Sequence, residues 1–180
     1  MADTAQVTNL TQNPFDSWKS IVISLYMTLV GYGVLVGIPV ISTAWVTLLG
    51  FSEVEVGRVA GADLGGLSVG ALITAALIAK ASRRVLALIG LFIAVIANWL
   101  CISIVDYEIV LWLRAISGVG SGIFTAVAVS SLGASSKPAL AYNAMLFAFA
   151  FSQALEMHFL PLLSMAGVYT VFIVCFLATL

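Results

Sequence analysis

Residues 108–133 read EIVLWLRAISGVGSGIFTAVAVSSLG, and this stretch decides the fold. It is apolar and exceeds the roughly 20 residues that a transmembrane helix needs, yet it contains Arg114. A guanidinium keeps its charge, and placing one toward the hydrocarbon centre costs about 2.5 kcal/mol or more, so Arg114 must face protein or water. Gly118, Gly120 and Gly122 follow, and the one-turn repeat of Gly118 and Gly122 predicts close approach of a neighbouring helix. The stretch therefore indicates a polytopic membrane protein.

The composition agrees with a membrane protein. Of 180 residues, 62% are hydrophobic and 8% are charged, whereas ordinary globular chains carry about 25% charged residues. The net charge of -1 gives no basic surface for nucleic acid, so no nucleic-acid partner is expected. Cys101 and Cys175 lie in apolar runs and are predicted to be small core residues. Two cysteines with one histidine make no metal pattern, and we expect neither a metal nor a cofactor.

The hydrophobic pattern predicts an all-α bundle. Residues 1–17 are predicted to be a mobile cytoplasmic tail, in which Asp16 or Ser17 caps the first helix. Ser52 and Glu55 have capping-box spacing before the second span. The last apolar run has 13 residues, so the chain is expected to stop inside a helix. The predicted transmembrane bundle covers residues 18–180, with spans at about 20–49, 55–79, 85–105, 108–130, 140–163 and, incompletely, 168–180.

The first two spans are rich in glycine. The first is predicted to bend, because it contains Gly31, Gly33 and Gly37 and a proline in mid-span, Pro39. The second is predicted to pack closely against its neighbours through small residues. These small residues are Gly57, Gly61, Gly65, Gly66 and Gly70.

The distribution of the cations predicts the orientation. One side carries the N-terminus and the loops after spans two and four, and the opposite side carries acids and only Arg58. By the positive-inside rule the N-terminus is cytoplasmic, and the plasma membrane, as the bacterial inner membrane, is the expected location. The cations on the first side are Lys19, Lys80, Arg83, Arg84 and Lys137.

A few polar side chains lie inside the spans. Asp63 in span two is either a carboxylate near the water boundary, paired with Arg58 or hydrated, or a proton or substrate-cation site. Asn98 is the single strongly polar residue of span three. Span five carries a polar face by the i, i+3 and i+4 rule, and His158 points to another side. The residues on that face are Ser152, Gln153 and Glu156.

This layout resembles the N-terminal half of a major facilitator superfamily transporter. The family signature R-x-x-x-G-x-G-x-G is matched by Arg114 and the three glycines that follow it. The signature G-x-L-A-D-R-x-G-R-R aligns with residues 75–84, AALIAKASRR, which keep the leucine, the basic Lys80 and the pair Arg83 and Arg84. Both glycines and the aspartate are replaced. Since that aspartate helps the family close its cytoplasmic side, the latch at Ala79 must be weak or differently built.

The resemblance implies a six-helix half of a twelve-helix fold, with helices one, two, four and five around a central cavity. It implies a secondary transporter that moves a small solute by alternating access, with a proton as a candidate coupling ion. In that interpretation Arg114 holds an anionic solute or a carboxylate partner, and Asp63 or Glu156 is that partner or carries the proton. The alternative for Arg114 is a structural clamp between helices. Further candidate contacts are Tyr32, Gln153 and His158, the last of which is otherwise a packed or interfacial histidine.

Other interpretations stay open at this point. A second six-helix half is expected as partner, either beyond Leu180 or on another chain. A non-transporting assembly or scaffold protein of the same fold is the alternative function. An enzyme is not expected. HExxH does not occur, and the GxSxG spacing of residues 66–70, GLSVG, lies inside the apolar second span and not at the strand-to-helix turn that a nucleophilic serine needs. Span five lacks the glycine-proline signature of drug antiporters, which favours uptake or metabolite exchange of organic anions, amino acids or sugars.

Overall fold

The computed structural model describes residues 13–180 and is all-helical there, with no strand in this range. Five helical stretches are long and apolar enough to cross a membrane, and the sixth apolar helix is shorter. Two short 3-10 turns, Pro14–Asp16 and Leu160–Leu162, precede the first helix and follow the sixth. The helices are α1 (Trp18–Gly31), α2 (Gly33–Leu49), α3 (Glu53–Leu77), α4 (Arg83–Ser103), α5 (Tyr107–Gly133), α6 (Pro138–Phe159) and α7 (Met165–Leu177).

The first span is interrupted at its middle. Tyr32 separates α1 from α2 with φ −92° and ψ 2°, outside the helical region. Backbone bonds of 3.0 Å from Tyr32 to Thr28 and from Val36 to Tyr32 keep the two helices nearly continuous. The interruption lies among the glycines, while Pro39 lies inside α2. The helix is thus interrupted at mid-span among the glycines that the sequence analysis named, while α2 continues through Pro39.

Two of the predicted helix caps are confirmed. The Ser52 backbone N–H donates to the Glu55 carboxylate over 2.8 Å, and the Glu55 N–H donates to the Ser52 hydroxyl over 3.3 Å. Ser17 caps α1 by accepting a bond from the Ser20 N–H. At the end of α2 the chain turns through Gly50, whose φ of 73° suits glycine.

α5 lies between α3 and α4 and contacts both through glycine. A Cβ on Gly118 or Gly122 would collide with the backbone of α3, and a Cβ on Gly120 would collide with the backbone of α4. The predicted close approach to a neighbouring helix is confirmed on both sides of α5. On α3, Gly66 and Gly70 take part in this contact. Gly57, Gly61 and Gly65 do not pack against any helix among residues 13–180, where nothing lies within 4 Å of an added Cβ, so the close packing predicted for them stays a prediction.

α6 is the least covered of the helices. Ala141 is its one buried residue, and its large apolar side chains, such as Phe147 and Phe151, are mostly exposed. The main core lies elsewhere, where α2, α3, α5 and α7 pack around Trp45 and Tyr169, both nearly inaccessible. α6 is therefore free to contact lipid or another protein surface on most of its sides.

The short turn before α1 packs against the basic end of the bundle. The Arg83 guanidinium lies 4.5 Å from the centre of the Phe15 ring, which is cation–π geometry. The same guanidinium donates to the Ser131 hydroxyl over 3.0 Å. Arg83 thus ties the start of α4 to the end of α5 and to the N-terminal turn, whereas Lys80 and Arg84 are exposed.

Two further bonds fix this turn to the loop between α5 and α6. The Asn13 amide donates to the Ala134 carbonyl over 2.8 Å, and the Asp16 carboxylate accepts from the Ser136 N–H and hydroxyl over 2.7 and 2.5 Å. We call residues 13–16 the N-terminal clasp. The tail predicted for residues 1–17 is attached to the bundle over these four residues, and its residues 1–12 lie outside the described part of the chain.

Candidate functional site

Arg114 is the centre of a buried polar cluster. It is 1% exposed, and its Nη2 and Nε donate to the Asp63 carboxylate over 2.5 and 3.2 Å. Its Nη1 donates to the side-chain oxygen of Asn98 over 2.8 Å. The guanidinium of α5 is therefore neutralised by α3 and held in place by α4.

A second ring of contacts supports this ion pair. The Asn98 amide donates to the Ser117 hydroxyl over 3.0 Å and to the Ala94 carbonyl over 2.8 Å. The Tyr169 ring centre lies 5.8 Å from the guanidinium carbon of Arg114, and the Trp45 indole donates to the Tyr169 hydroxyl over 3.1 Å. We call this group the arginine cluster; it consists of Trp45, Asp63, Asn98, Arg114, Ser117 and Tyr169.

The contacts of this cluster show which of the candidate carboxylates is the partner of Arg114. Asp63, not Glu156, is the carboxylate beside Arg114. The interpretation of Asp63 as a carboxylate near the water boundary, paired with Arg58 or hydrated, is wrong, because Asp63 pairs with Arg114 and is 4% exposed. The role of Asn98 was missed. Its signal in the sequence was that it is the single strongly polar residue inside an otherwise apolar span.

Glu156 lies apart from the arginine cluster, beside the middle of the first span. The Ser152 hydroxyl donates to one carboxylate oxygen, Oε1, over 3.0 Å. The other oxygen, Oε2, is buried and has no hydrogen-bond partner among residues 13–180. It lies against Gly37, where an added Cβ would come within 2.7 Å of it. A desolvated carboxylate with one unbonded oxygen is a costly arrangement and needs a proton or a cation.

The other predicted contacts on α6 are not drawn into this site. Gln153 is exposed, although the pattern placed it on the same face as Ser152 and Glu156. His158 is also exposed, and its ring packs edge-on against Phe159 at 4.9 Å between ring centres. Tyr32, by contrast, lies at the interruption of the first span and packs edge-on against Phe149 of α6 at 5.5 Å.

A cavity of about 450 Å³ opens beside Tyr32, between the second halves of α3 and α5. Thr125 in its wall is 1% exposed, and its hydroxyl has no hydrogen-bond partner among the described residues. The Thr74 hydroxyl contacts the Gly70 and Ile123 carbonyls over 3.1 and 3.3 Å. We call this cavity the hydroxyl groove, because Tyr32, Thr74, Thr125 and Ser130 line it. Spans one, two and four meet here, and Phe149 of span five packs against Tyr32 in its wall.

The acids and thiols do not gather into a metal site in the part of the chain that the structure describes. No group of three or more His, Cys, Asp or Glu side chains lies close enough there to hold an ion. The chemistry available to residues 13–180 is therefore hydrogen bonding in the groove, a buried ion pair, and one half-buried carboxylate, Glu156, with an unbonded oxygen.

The apolar helices, the arginine–glycine packing of α5 and the basic turn before α4 define an integral membrane transporter of the major facilitator class. The family model for sugar (and other) transporters matches residues 6–155, well over half of the chain. The protein belongs to this family. Searches of curated proteins and of solved structures gave no match.

Proposed function

We propose that the protein moves a small hydroxylated solute, such as a sugar, across the membrane by alternating access, and that the hydroxyl groove is part of the path. The observation that carries this proposal is the burial of the Thr125 hydroxyl. Its hydroxyl is buried without a protein partner beside the groove, and a buried hydroxyl without a partner costs about 1–3 kcal/mol. The hydroxyl packs against Gly31 of α1, so a solute hydroxyl would reach it and remove that cost once α1 moves away from α5.

The surrounding elements suit a gated path. The arginine cluster and the glycine contacts hold α3, α4 and α5 together as one unit. The first span is interrupted at Tyr32, beside the groove, where a change of φ and ψ costs few hydrogen bonds. We propose that α1 and α2 bend against this unit when the path opens and closes.

The same arrangement argues for a neutral solute. Three nitrogens of the Arg114 guanidinium already donate to Asp63 and Asn98, so the charge is not available to an anionic solute. Arg114 acts in this proposal as a clamp between helices. Glu156, with its unbonded oxygen at mid-span, carries the coupling proton.

The complete path needs a second surface. We propose that a second six-helix half, on the same polypeptide or on another chain, packs against α3 and α6, whose sides are open in residues 13–180. The basic end, with Arg83 and Lys137, faces the cytoplasm by the positive-inside rule, and the plasma membrane of a bacterium is the proposed location.

The test is uptake of radiolabelled hexoses and pentoses into proteoliposomes. Thr125→Val keeps the shape and removes the hydroxyl, and we expect an initial rate lower by about threefold to tenfold, the effect of one neutral hydrogen bond. Thr170→Val is the matched control, because Thr170 is exposed on α7 and bonds its own helix. Equal rates for the two variants would contradict the role of the groove.

The same vesicles test the proton. Glu156→Gln should abolish uptake driven by an imposed pH gradient and retain exchange of labelled for unlabelled solute, which needs no net proton movement. If no variant and no wild-type vesicle transports any of these sugars, the non-transporting scaffold becomes the better reading of the fold.

A further inference from the structure

A second cavity, of about 440 Å³, lies between α6 and α7, with α1 as its floor. It is separate from the hydroxyl groove, since the two share no lining residue. Its walls are apolar apart from a few side chains, and Glu156 is the one charged residue among the described residues that line it. We call this cavity the α6–α7 crevice.

The carboxylate in the crevice lacks a counter-charge. Within residues 13–180 the one ion pair joins Arg114 to Asp63, so Glu156 has no basic partner there. The Ser152 hydroxyl supplies a single bond to Oε1, and Oε2 is unbonded. Desolvated carboxylates are stable when a cation or several donors compensate for the lost water, and neither is present on the described chain.

Glycines place the carboxylate at the floor of the crevice. An added Cβ on Gly37 would meet Oε2 at 2.7 Å, and one on Gly33 would meet the Phe172 ring at 3.1 Å. The absence of side chains here lets Glu156 and Phe172 approach the backbone of the first span. Gly33 lines the crevice and Gly37 does not, so Oε2 lies on the inner, buried side of the carboxylate. The negative charge is thus at the inner end of an apolar space.

Aromatic side chains flank that charge. Tyr26, Phe151 and Phe172 line the crevice from α1, α6 and α7. An aromatic face attracts an organic cation, and apolar walls favour a hydrophobic body. An anion would be repelled by Glu156, and a neutral hydrocarbon would leave the carboxylate without a partner.

We propose that the α6–α7 crevice binds a hydrophobic organic monocation, an amine with an aryl or alkyl body. The ammonium group contacts Glu156, and the body lies among the aromatic side chains. The site is reached between α6 and α7 and not through the solute path. It shares Glu156 with the proposed function, but its occupant and its test do not depend on solute transport.

The test uses the purified protein in nanodiscs and two probes that differ in one group, 4-phenylbutylamine and 4-phenylbutan-1-ol. Cys175 lines the crevice and is half-buried, so its alkylation by N-ethylmaleimide reports occupancy. Cys101 is buried outside the crevice and is not expected to react in the folded protein, so the alkylation signal belongs to Cys175. We expect the amine to slow alkylation of Cys175. The alcohol should require a concentration about tenfold higher for the same protection, because it cannot form the charge-assisted bond to Glu156.

Glu156→Gln should raise the amine concentration for half-protection by about tenfold, whereas Asp16→Asn, an exposed carboxylate at the far end of the chain, should leave it unchanged. Equal protection by amine and alcohol in the wild-type protein would overturn the proposal, and that comparison needs no variant. Unchanged protection in Glu156→Gln would overturn it too. Loss of solute uptake in Thr125→Val bears on the groove alone, so the two proposals fail separately.

Discussion

Arg114 and Asp63 carry opposite charges that are both removed from water inside the bundle. Removing two ions from water is costly, and their attraction offsets that cost only when the geometry is good and the remaining donors are bonded. The geometry favours the pair here, because two guanidinium nitrogens donate to one carboxylate oxygen of Asp63 and the third nitrogen donates to Asn98. Removal of either residue alone would therefore leave the other charge buried without its partner.

Removing one member should destabilise the protein far more than removing an exposed charge. We expect Arg114→Met or Asp63→Asn to lower the free energy of unfolding by about 3–5 kcal/mol, because each leaves a buried charge unpaired. SDS-induced unfolding measures this. Arg58→Met, at an exposed position, should change it by no more than about 0.5 kcal/mol.

The double variant Arg114→Met, Asp63→Leu distinguishes a clamp from two independent contributions. Its free energy of unfolding should fall by less than the sum of the two single-variant decreases, because the double variant buries no unpaired charge. Additive losses would mean that the two side chains act independently and would contradict the ion pair.

The sequence could predict that Arg114 is buried in protein, because a charge in an apolar span has few other solutions. It could not identify the partner, because Asp63 and Glu156 both lie within spans and the rotation of each helix decides which one faces α5. The rotation of each helix also decides whether Asn98, Gln153 and His158 face a neighbouring helix or the outside of the bundle. Their sequence positions give a face of a helix but not the neighbour of that face.

At the scale of helices, the glycines of α5 and α3 divide into two groups with opposite expected effects. A Cβ on Gly122 would press on the backbone of Leu67, whereas a Cβ on Gly61 meets open space. Gly122→Ala should lower the free energy of unfolding by about 1–3 kcal/mol through overpacking. In residues 1–180 expressed alone, with no second half on α3, Gly61→Ala should be neutral or stabilise by up to about 1 kcal/mol, because alanine is the better helix former.

The measurement is again SDS-induced unfolding, with both variants made in the same background. Equal effects at Gly61 and Gly122 would show that α3 and α5 are not in close contact along this face. If only Gly61→Ala lowered the free energy of unfolding, α3 would have to pack through its opposite side.

The local chemistry of the helix ends was the easiest part of the elements to predict. The Ser52–Glu55 capping box depends on residues three apart, and such spacing is visible in a sequence. The N-terminal clasp was not predictable in this way. Asp16 and Ser136 lie 120 positions apart, and nothing local in either stretch indicates that they meet.

For the whole molecule, the clasp links the start of the described chain to a loop between its later helices, and it should respond to pH. The Ser136 hydroxyl and N–H, which donate to the Asp16 carboxylate, hold the pKa of Asp16 below its usual value. A carboxyl group with a lowered pKa stabilises the folded contact above its ordinary pKa, near 3.9, and that contribution is lost as the pH falls through the lowered value.

Hydrogen exchange at the Ser136 amide measures this contact. We expect its protection to fall as the pH drops below about 4, and Asp16→Asn to show lower protection at neutral pH with no such pH dependence. Protection in the wild-type protein that stays constant down to pH 2 would show that Asp16 does not accept this bond.

The distance between Asp63 and Arg114 along the chain has a consequence for synthesis. The two residues are 51 positions apart, so at 5–20 residues per second the ribosome makes Asp63 roughly 3–10 s before Arg114. During that interval α3 carries a carboxylate that costs about 2.5–3.5 kcal/mol in the bilayer without its partner. We therefore expect α3 to remain at the translocation machinery, or near the membrane surface, until α5 has been synthesised. The two charges would then enter the bilayer as an ion pair.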